Sequence, residues 1–157
     1  MTALPLRVLF LCTGNSCRSQ MAEGWARALG GDQVEARSAG TQPKELHSLA
    51  VQVMAEAGVD ISRQKSKALE GMLGQCFDYV ITVCDRAKET CPVWPGAKEQ
   101  IHWSFDDPAE ATGTEAEKLV VFHRVQREIK RRVELFLAAH GIAPSRERTG
   151  CARLVTR

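Results

Sequence analysis

The chain has 157 residues, enough for one domain with a normal core, and its 44% hydrophobic and 25% charged residues are ordinary for a soluble globular protein. A net charge of +2 argues for neither nucleic-acid nor membrane-surface binding. No apolar run reaches the length of a membrane span. Residues 1–6 lack the charged start and cleavage site of a signal peptide. The chain is therefore expected to be cytoplasmic. Six cysteines in that compartment point to catalysis, redox chemistry or metal rather than to a disulfide framework.

Residues 7–11 are an apolar run of β type that stops at Cys12. The short loop Thr13-Gly14-Asn15-Ser16-Cys17 follows, then Arg18, then a helical pattern over 19–29 closed by Gly30-Gly31. Ser19 is the predicted N-cap, with Glu23 supporting the first turn. Cys12 is thus expected at the carboxyl end of a strand, facing a helix N-terminus, where open α/β sheets place their ligands. Gly14 is expected to let the loop turn tightly, so that successive backbone N–H groups form an anion-binding nest. The helix dipole adds positive potential there, and the planar fork of Arg18 suits a tetrahedral oxyanion. A cysteine so placed is expected to have a depressed pKa and to exist largely as thiolate. Ser19 is placed to hydrogen-bond that thiolate, and Cys17 is expected to act through its backbone N–H rather than its sulfur. The bare spacing is weak, because Cys151 and Arg157 also satisfy it. The strand before, the loop interior and the helix after give it meaning.

Farther along, 34–39 reads as a second strand ending in Ser38-Ala39-Gly40, and 41–47 as a loop containing Pro43. Residues 48–57 read as a helix with Leu49, Ala50, Val53, Met54 and Ala57 on one face and Gly58 as its C-cap. A polar loop and a short helix occupy 59–73. A third strand at 79–83 again runs into a cysteine, Cys84. A long loop over 84–98, a short strand at 100–103 and a loop at 105–114 follow. The long helix predicted at 115–140 turns Phe122, Val125, Ile129, Val133 and Phe136 inward, with Gly141 behind it. The arginine-rich segment 144–157 has no core pattern and is expected to be a mobile tail. Strands alternating with helices predict a single α/β domain: an open, twisted, mostly parallel sheet of about four strands flanked by helices. The end of the first strand then lies at the topological switch point.

Cys84 and Cys91 are separated by six residues, and Cys84 ends a strand of the same sheet as Cys12. Three readings are open: two unrelated thiols, a zinc site made with Cys12 and Cys17, or a redox pair closed by movement of the loop. The spacings do not match the usual structural-zinc pairs. Cys76 and Cys151 have no evident partner, and His47, His102, His123 and His140 show no ligand spacing, so these are read as structural or surface residues. In Phe105-Asp106-Asp107-Pro108, aspartate is common in turns, but beside an oxyanion loop it also offers a proton donor.

The segment from Cys12 to Arg18 resembles the phosphate loop of low-molecular-weight protein tyrosine phosphatases, and still more that of their redox relatives, the thioredoxin-coupled arsenate reductases. The resemblance extends from about residue 7 to residue 136. It implies the fold of that family and an oxyanion site built from Thr13, Gly14, Asn15, Ser16, Cys17 and Ser19, with Arg18 as the clamp. It implies that Cys12 is the nucleophile, that Asp107 before Pro108 is the acid for the departing oxygen, and that Cys84 and then Cys91 complete a three-thiol relay. Arsenate is then the substrate, and a thioredoxin-type dithiol the reductant, with glutaredoxin and small thiols also open; no cofactor is needed and a monomer is expected. Phosphatases of this fold carry an aromatic residue after the Asp-Pro pair, where this chain has Ala109. Two other readings stay open: a tyrosine phosphatase whose extra thiols protect Cys12, and a non-enzymatic oxyanion sensor. Some of these reductases hold potassium beside the loop. Asn15, Glu23 and Ser38 stand at ligand positions, but the facing segment reads Arg63-Gln64-Lys65-Ser66-Lys67. A protonated lysine cannot ligate a cation, so no metal site is expected and a lysine ammonium is expected in the cation's place.

Overall fold

A computed structural model describes residues 4–143. Strands β1 (Leu6–Cys12), β2 (Val34–Gly40), β3 (Tyr79–Thr82) and β4 (Glu99–His102) form one sheet in the order β2-β1-β3-β4. Every neighbouring pair is parallel. Helices α1 (Arg18–Gly30), α2 (Ser48–Glu56), α3 (Asp85–Thr90) and α4 (Glu115–Ala139) complete the α/β domain. Val8, Leu9, Phe10 and Leu11 are all buried, as the central strand of a parallel sheet covered on both faces requires.

The chain leaves β1 for β2 on one side and reaches β3 on the other, so the strand order reverses between β1 and β3. Cys12 pairs with Gly40, and Leu11 with Thr82, which puts the loops after β1 and β3 side by side at that reversal. Helix α1 lies against β1 and β2, and α4 crosses α1 and α2. The residues predicted to face inward from α4 are buried. Phe136 stacks edge-on against Tyr79 (5.3 Å) and Trp103 (5.8 Å), tying α4 to the β3–β4 side of the sheet. Thr114 and Glu117 close a reciprocal capping box at the start of α4.

Two expectations change. Helix α1 starts at Arg18 with Cys17 as its N-cap and no side-chain cap; Ser19 is not the N-cap, because its hydroxyl is engaged by Cys12 and Asn15 instead. The segment read as a long loop after Cys84 contains α3, a helix of six residues. The expected tail at 144–157, with Cys151, lies outside the described residues.

Candidate active site

Cys12 is the last residue of β1, and the loop that follows folds around its sulfur. Asn15 N donates to Cys12 Sγ (3.1 Å), and Ser19 Oγ stands 2.8 Å from it. Asn15 Nδ2 donates to Ser19 Oγ (2.7 Å), which leaves the hydroxyl proton of Ser19 free to point at the sulfur. The tight turn is made by Asn15, at φ 48°, and not by Gly14, where an added Cβ would meet only ordinary contacts. Asn15 tolerates that conformation because its side chain is fully used. Its Oδ1 accepts from Lys67 N (2.8 Å) and Gln20 Nε2 (3.1 Å), and its carbonyl accepts from Gln20 Nε2 (2.9 Å) and Ser66 Oγ (2.7 Å). Gly40, opposite Cys12 on β2, admits the loop: a Cβ there would lie 2.5 Å from Thr13 O.

A cavity of about 370 Å³ opens over this loop. Cys12, Thr13, Gly14, Ser16, Cys17 and Arg18 line it from one side, and Cys84 and Asp107 from the others. Asn15 and Ser19 do not line it. They are fully buried behind the loop and hold its shape and the Cys12 sulfur. Ala109, which follows the Asp-Pro pair, lines it as well, and Gln42, Lys44, Asp85 and Glu110, not singled out from the sequence, also reach it. The rule that placed Cys12, that ligands meet the carboxyl ends of strands, applies equally to the loops after β2, β3 and β4. The first of these is tied to the anion loop by Gln42 N to Thr13 O (2.8 Å) and Lys44 N to Gly14 O (2.8 Å).

Arg18 is held over the cavity by Asp107, with Nη2 to Oδ2 at 3.3 Å, and donates from Nη1 to Phe105 O (3.1 Å). The other carboxylate oxygen of Asp107 accepts from Ala109 N (3.0 Å), capping the short turn that Pro108 starts. Burial pushes the Cys12 thiol above its ordinary value, against the hydrogen bonds of Ser19 and Asn15. The expected depressed pKa is therefore corrected: Arg18 is turned to Asp107 and Phe105, and desolvation outweighs the hydrogen bonds that remain. Burial also pushes Cys17 up to about 12, so its sulfur stays a neutral thiol in the loop wall.

The other thiols are arranged in series. Cys84 Sγ lies 3.3 Å from Thr13 Oγ1, so Cys12 and Cys84 face one cavity. Cys91 stands at the far end of α3, half-buried, and accepts from Gln100 Nε2 (3.4 Å). Burial pushes its thiol up against that hydrogen bond. With α3 between Cys91 and Cys84, the four thiols do not converge as a zinc centre needs.

Behind the loop, Glu23 is buried and accepts from Ser38 Oγ (2.6 Å). Arg27 pairs with it at 2.8 Å. Lys67 Nζ lies 3.6 Å from the same carboxylate and donates to Lys65 O (2.7 Å). These residues do not fit an alkali cation: an ammonium and a guanidinium already face the carboxylate, and the Asn15 carbonyl is taken by Gln20 and Ser66.

Residues 7–143 match the low molecular weight phosphotyrosine protein phosphatase family. The chain belongs to that family. Within it, the chain is 49% identical over 129 residues to an arsenate reductase of Halalkalibacterium halodurans, covering 82% of this chain and 93% of that protein. The fold matches the solved structure of an arsenate reductase in its phosphate-binding state with a TM-score of 0.75 at 35% identity, over 85% of this chain and 98% of that one. It also matches a thioredoxin-dependent arsenate reductase of Corynebacterium glutamicum, with a TM-score of 0.61 at 33% identity, over 85% of this chain and 65% of that one. In this member of the family the phosphate loop is accompanied by two further thiols, one inside the cavity and one beyond α3.

Proposed function

We propose that the protein is an arsenate reductase working through three thiols in the order Cys12, Cys84, Cys91, and regenerated by a thioredoxin-type dithiol. The observation that carries the reading is a second thiol, Cys84, facing the same oxyanion cavity as the nucleophile. Phosphate-ester hydrolysis needs no second sulfur for turnover; in a phosphatase Cys84 would serve only to protect Cys12.

Hydrogen arsenate enters the cavity, where the loop amides and Arg18 neutralise its charge. It takes the Cys12 proton, which burial keeps on the sulfur until then. The thiolate attacks arsenic, an As–S bond forms, and the departing hydroxide leaves as water with a proton that Asp107 takes up from solvent and passes on. Cys84, as thiolate, attacks Cys12 Sγ. The S–As bond breaks, its electron pair stays on arsenic, and arsenite departs after protonation. Arsenic gains two electrons, and the two sulfurs lose them to a Cys12–Cys84 disulfide. The Cys91 thiolate then attacks Cys84 Sγ, Cys12 leaves as thiolate, and a Cys84–Cys91 disulfide remains for the external dithiol.

The last transfer sets a structural demand. Cys84 and Cys91 flank a six-residue helix. At about 1.5 Å per residue their Cα atoms are separated by roughly 10 Å, whereas a disulfide needs about 4.4–6.8 Å. Helix α3 must unwind for the pair to close. It is suited to this, because a helix this short has little stability of its own, and Asp85, Lys88 and Glu89 are exposed.

The test is arsenate-dependent consumption of reduced thioredoxin, run beside hydrolysis of a phosphotyrosine ester. The reading expects the first to be fast and the second slow. Fast ester hydrolysis with no arsenate-dependent thiol consumption contradicts it and favours the phosphatase reading.

A further inference from the structure

Strand β4 touches both ends of the segment that must unwind. Among the described residues it is an edge strand, hydrogen-bonded to β3 alone, and Gln100 and His102, two residues apart, project from the same face. At the first end, His102 Nε2 lies 2.9 Å from Asp85 Oδ1, and Asp85 is the residue after Cys84. A carboxylate only accepts, so Nε2 carries the proton, and Thr82 Oγ1 meets the opposite nitrogen, Nδ1, at 2.8 Å. Thr82 thus fixes the ring that holds the start of α3. At the far end, Gln100 Nε2 donates to Cys91 Sγ (3.4 Å) and Pro92 O (3.1 Å), while its Oε1 accepts from Trp94 N (2.9 Å). Trp94 is itself buried against Phe77 and donates from its indole to Gln75 O (2.8 Å). The far end is therefore fastened to a fixed point.

We infer that Gln100 and His102 of β4 form a two-point clasp that holds the reduced segment in its helical, thiol-separated form, and so sets the redox potential of the Cys84–Cys91 couple. The inference rests on the thiol relay proposed above. When Cys91 attacks the Cys12–Cys84 disulfide, the Cys84–Cys91 S–S bond forms, the Cys12–Cys84 bond breaks, and Cys12 leaves as thiolate. Cys91 can make that attack only by leaving Gln100, and α3 can unwind only by releasing or straining the Asp85–His102 contact. Both contacts belong to the dithiol state. They oppose closure until arsenate chemistry has driven Cys84 into the mixed disulfide, which keeps the pair from oxidising idly. Gln100 and His102 are positioning residues: they touch the thiol segment and not the oxyanion.

The consequence is counter-intuitive for a loss of contacts: removing the clasp makes the disulfide easier to form. In a Cys12→Ser background, the Cys84–Cys91 couple is equilibrated with reduced and oxidised dithiothreitol, and the disulfide is located by peptide mapping. Each of Gln100→Ala and Asp85→Ala is expected to favour the disulfide by roughly fivefold, the size of one hydrogen bond. The double variant is expected to favour it by about tenfold or more, which for this two-electron couple is a midpoint about 30 mV or more lower. With Cys12 restored, Gln100→Ala is expected to leave the first equivalent of arsenite unchanged and to speed transfer of the disulfide from Cys12–Cys84 to Cys84–Cys91. Unchanged or higher midpoints in both single variants overturn the clasp while leaving the relay standing. A parent protein that forms no Cys84–Cys91 disulfide in any dithiothreitol ratio overturns the relay, and the clasp with it.

Discussion

Ser19 shows how much one hydroxyl controls. Its oxygen accepts from Asn15 and its proton is left for Cys12, so it opposes the burial that keeps the sulfur protonated. Hydrogen bonds to a charged group are worth about 1.5–3 kcal/mol, so Ser19→Ala is expected to slow formation of the first arsenite equivalent by roughly 10–100-fold. Rapid-quench measurement of arsenite reads this directly; an unchanged rate means the hydroxyl does not act on the nucleophile. At this scale the sequence was partly legible. Cys12 and Cys84 fall at the strand ends where the pattern puts them and Arg18 at the start of the helix, whereas Asp107 was marked only by the family resemblance. The work of Asn15 was hidden, because its amide is completed by Lys67, 52 positions away, and by a left-handed turn that the sequence assigns more readily to the neighbouring Gly14.

Elements divide by how strongly they are patterned. The four strands and the three longer helices announce themselves through apolar periodicity and capping residues, because burial of a continuous face decides them. Helix α3 does not: Asp-Arg-Ala-Lys-Glu-Thr carries one apolar residue, the buried Ala87, and has no repeat to detect. That weakness lets it unwind. Helices α1 and α4 are the opposite case, packed together over much of their length. Even there, Gln126 Oε1 on α4 and Trp25 Nε1 on α1 are buried without a hydrogen-bond partner among the described residues. An unsatisfied buried acceptor costs about 1–3 kcal/mol. Gln126→Met keeps the volume and removes the acceptor, so it is expected to stabilise the protein by about 1 kcal/mol, a rise of about 2–4 °C in Tm. Thermal unfolding followed by circular dichroism checks this, and a lower Tm shows that the amide is satisfied in solution.

Taken whole, the molecule is a parallel sheet whose carboxyl edge carries an oxyanion loop, with a weak helix beside it and a set of fixed cations behind it. Glu23 is held by Ser38, Arg27 and Lys67. Lys67 also donates from its backbone N–H to Asn15 Oδ1, which links this cluster to the loop. Potassium is accordingly expected to change turnover and Tm no more than sodium at equal ionic strength. A stabilisation specific to potassium contradicts the assignment of Lys67 to that place.

The proposed relay depends on the order of the thiols, and Cys91→Ser isolates it. In that variant Cys12 and Cys84 are intact, the second transfer is blocked, and the external dithiol is withheld. A single exposure to arsenate is expected to release one equivalent of arsenite and leave the protein with a Cys12–Cys84 disulfide, located by peptide mapping. In Cys84→Ser, under the same conditions, no arsenite is expected. Arsenite from Cys84→Ser at the parent's level, or a Cys91→Ser protein that turns over repeatedly with thioredoxin, contradicts the relay.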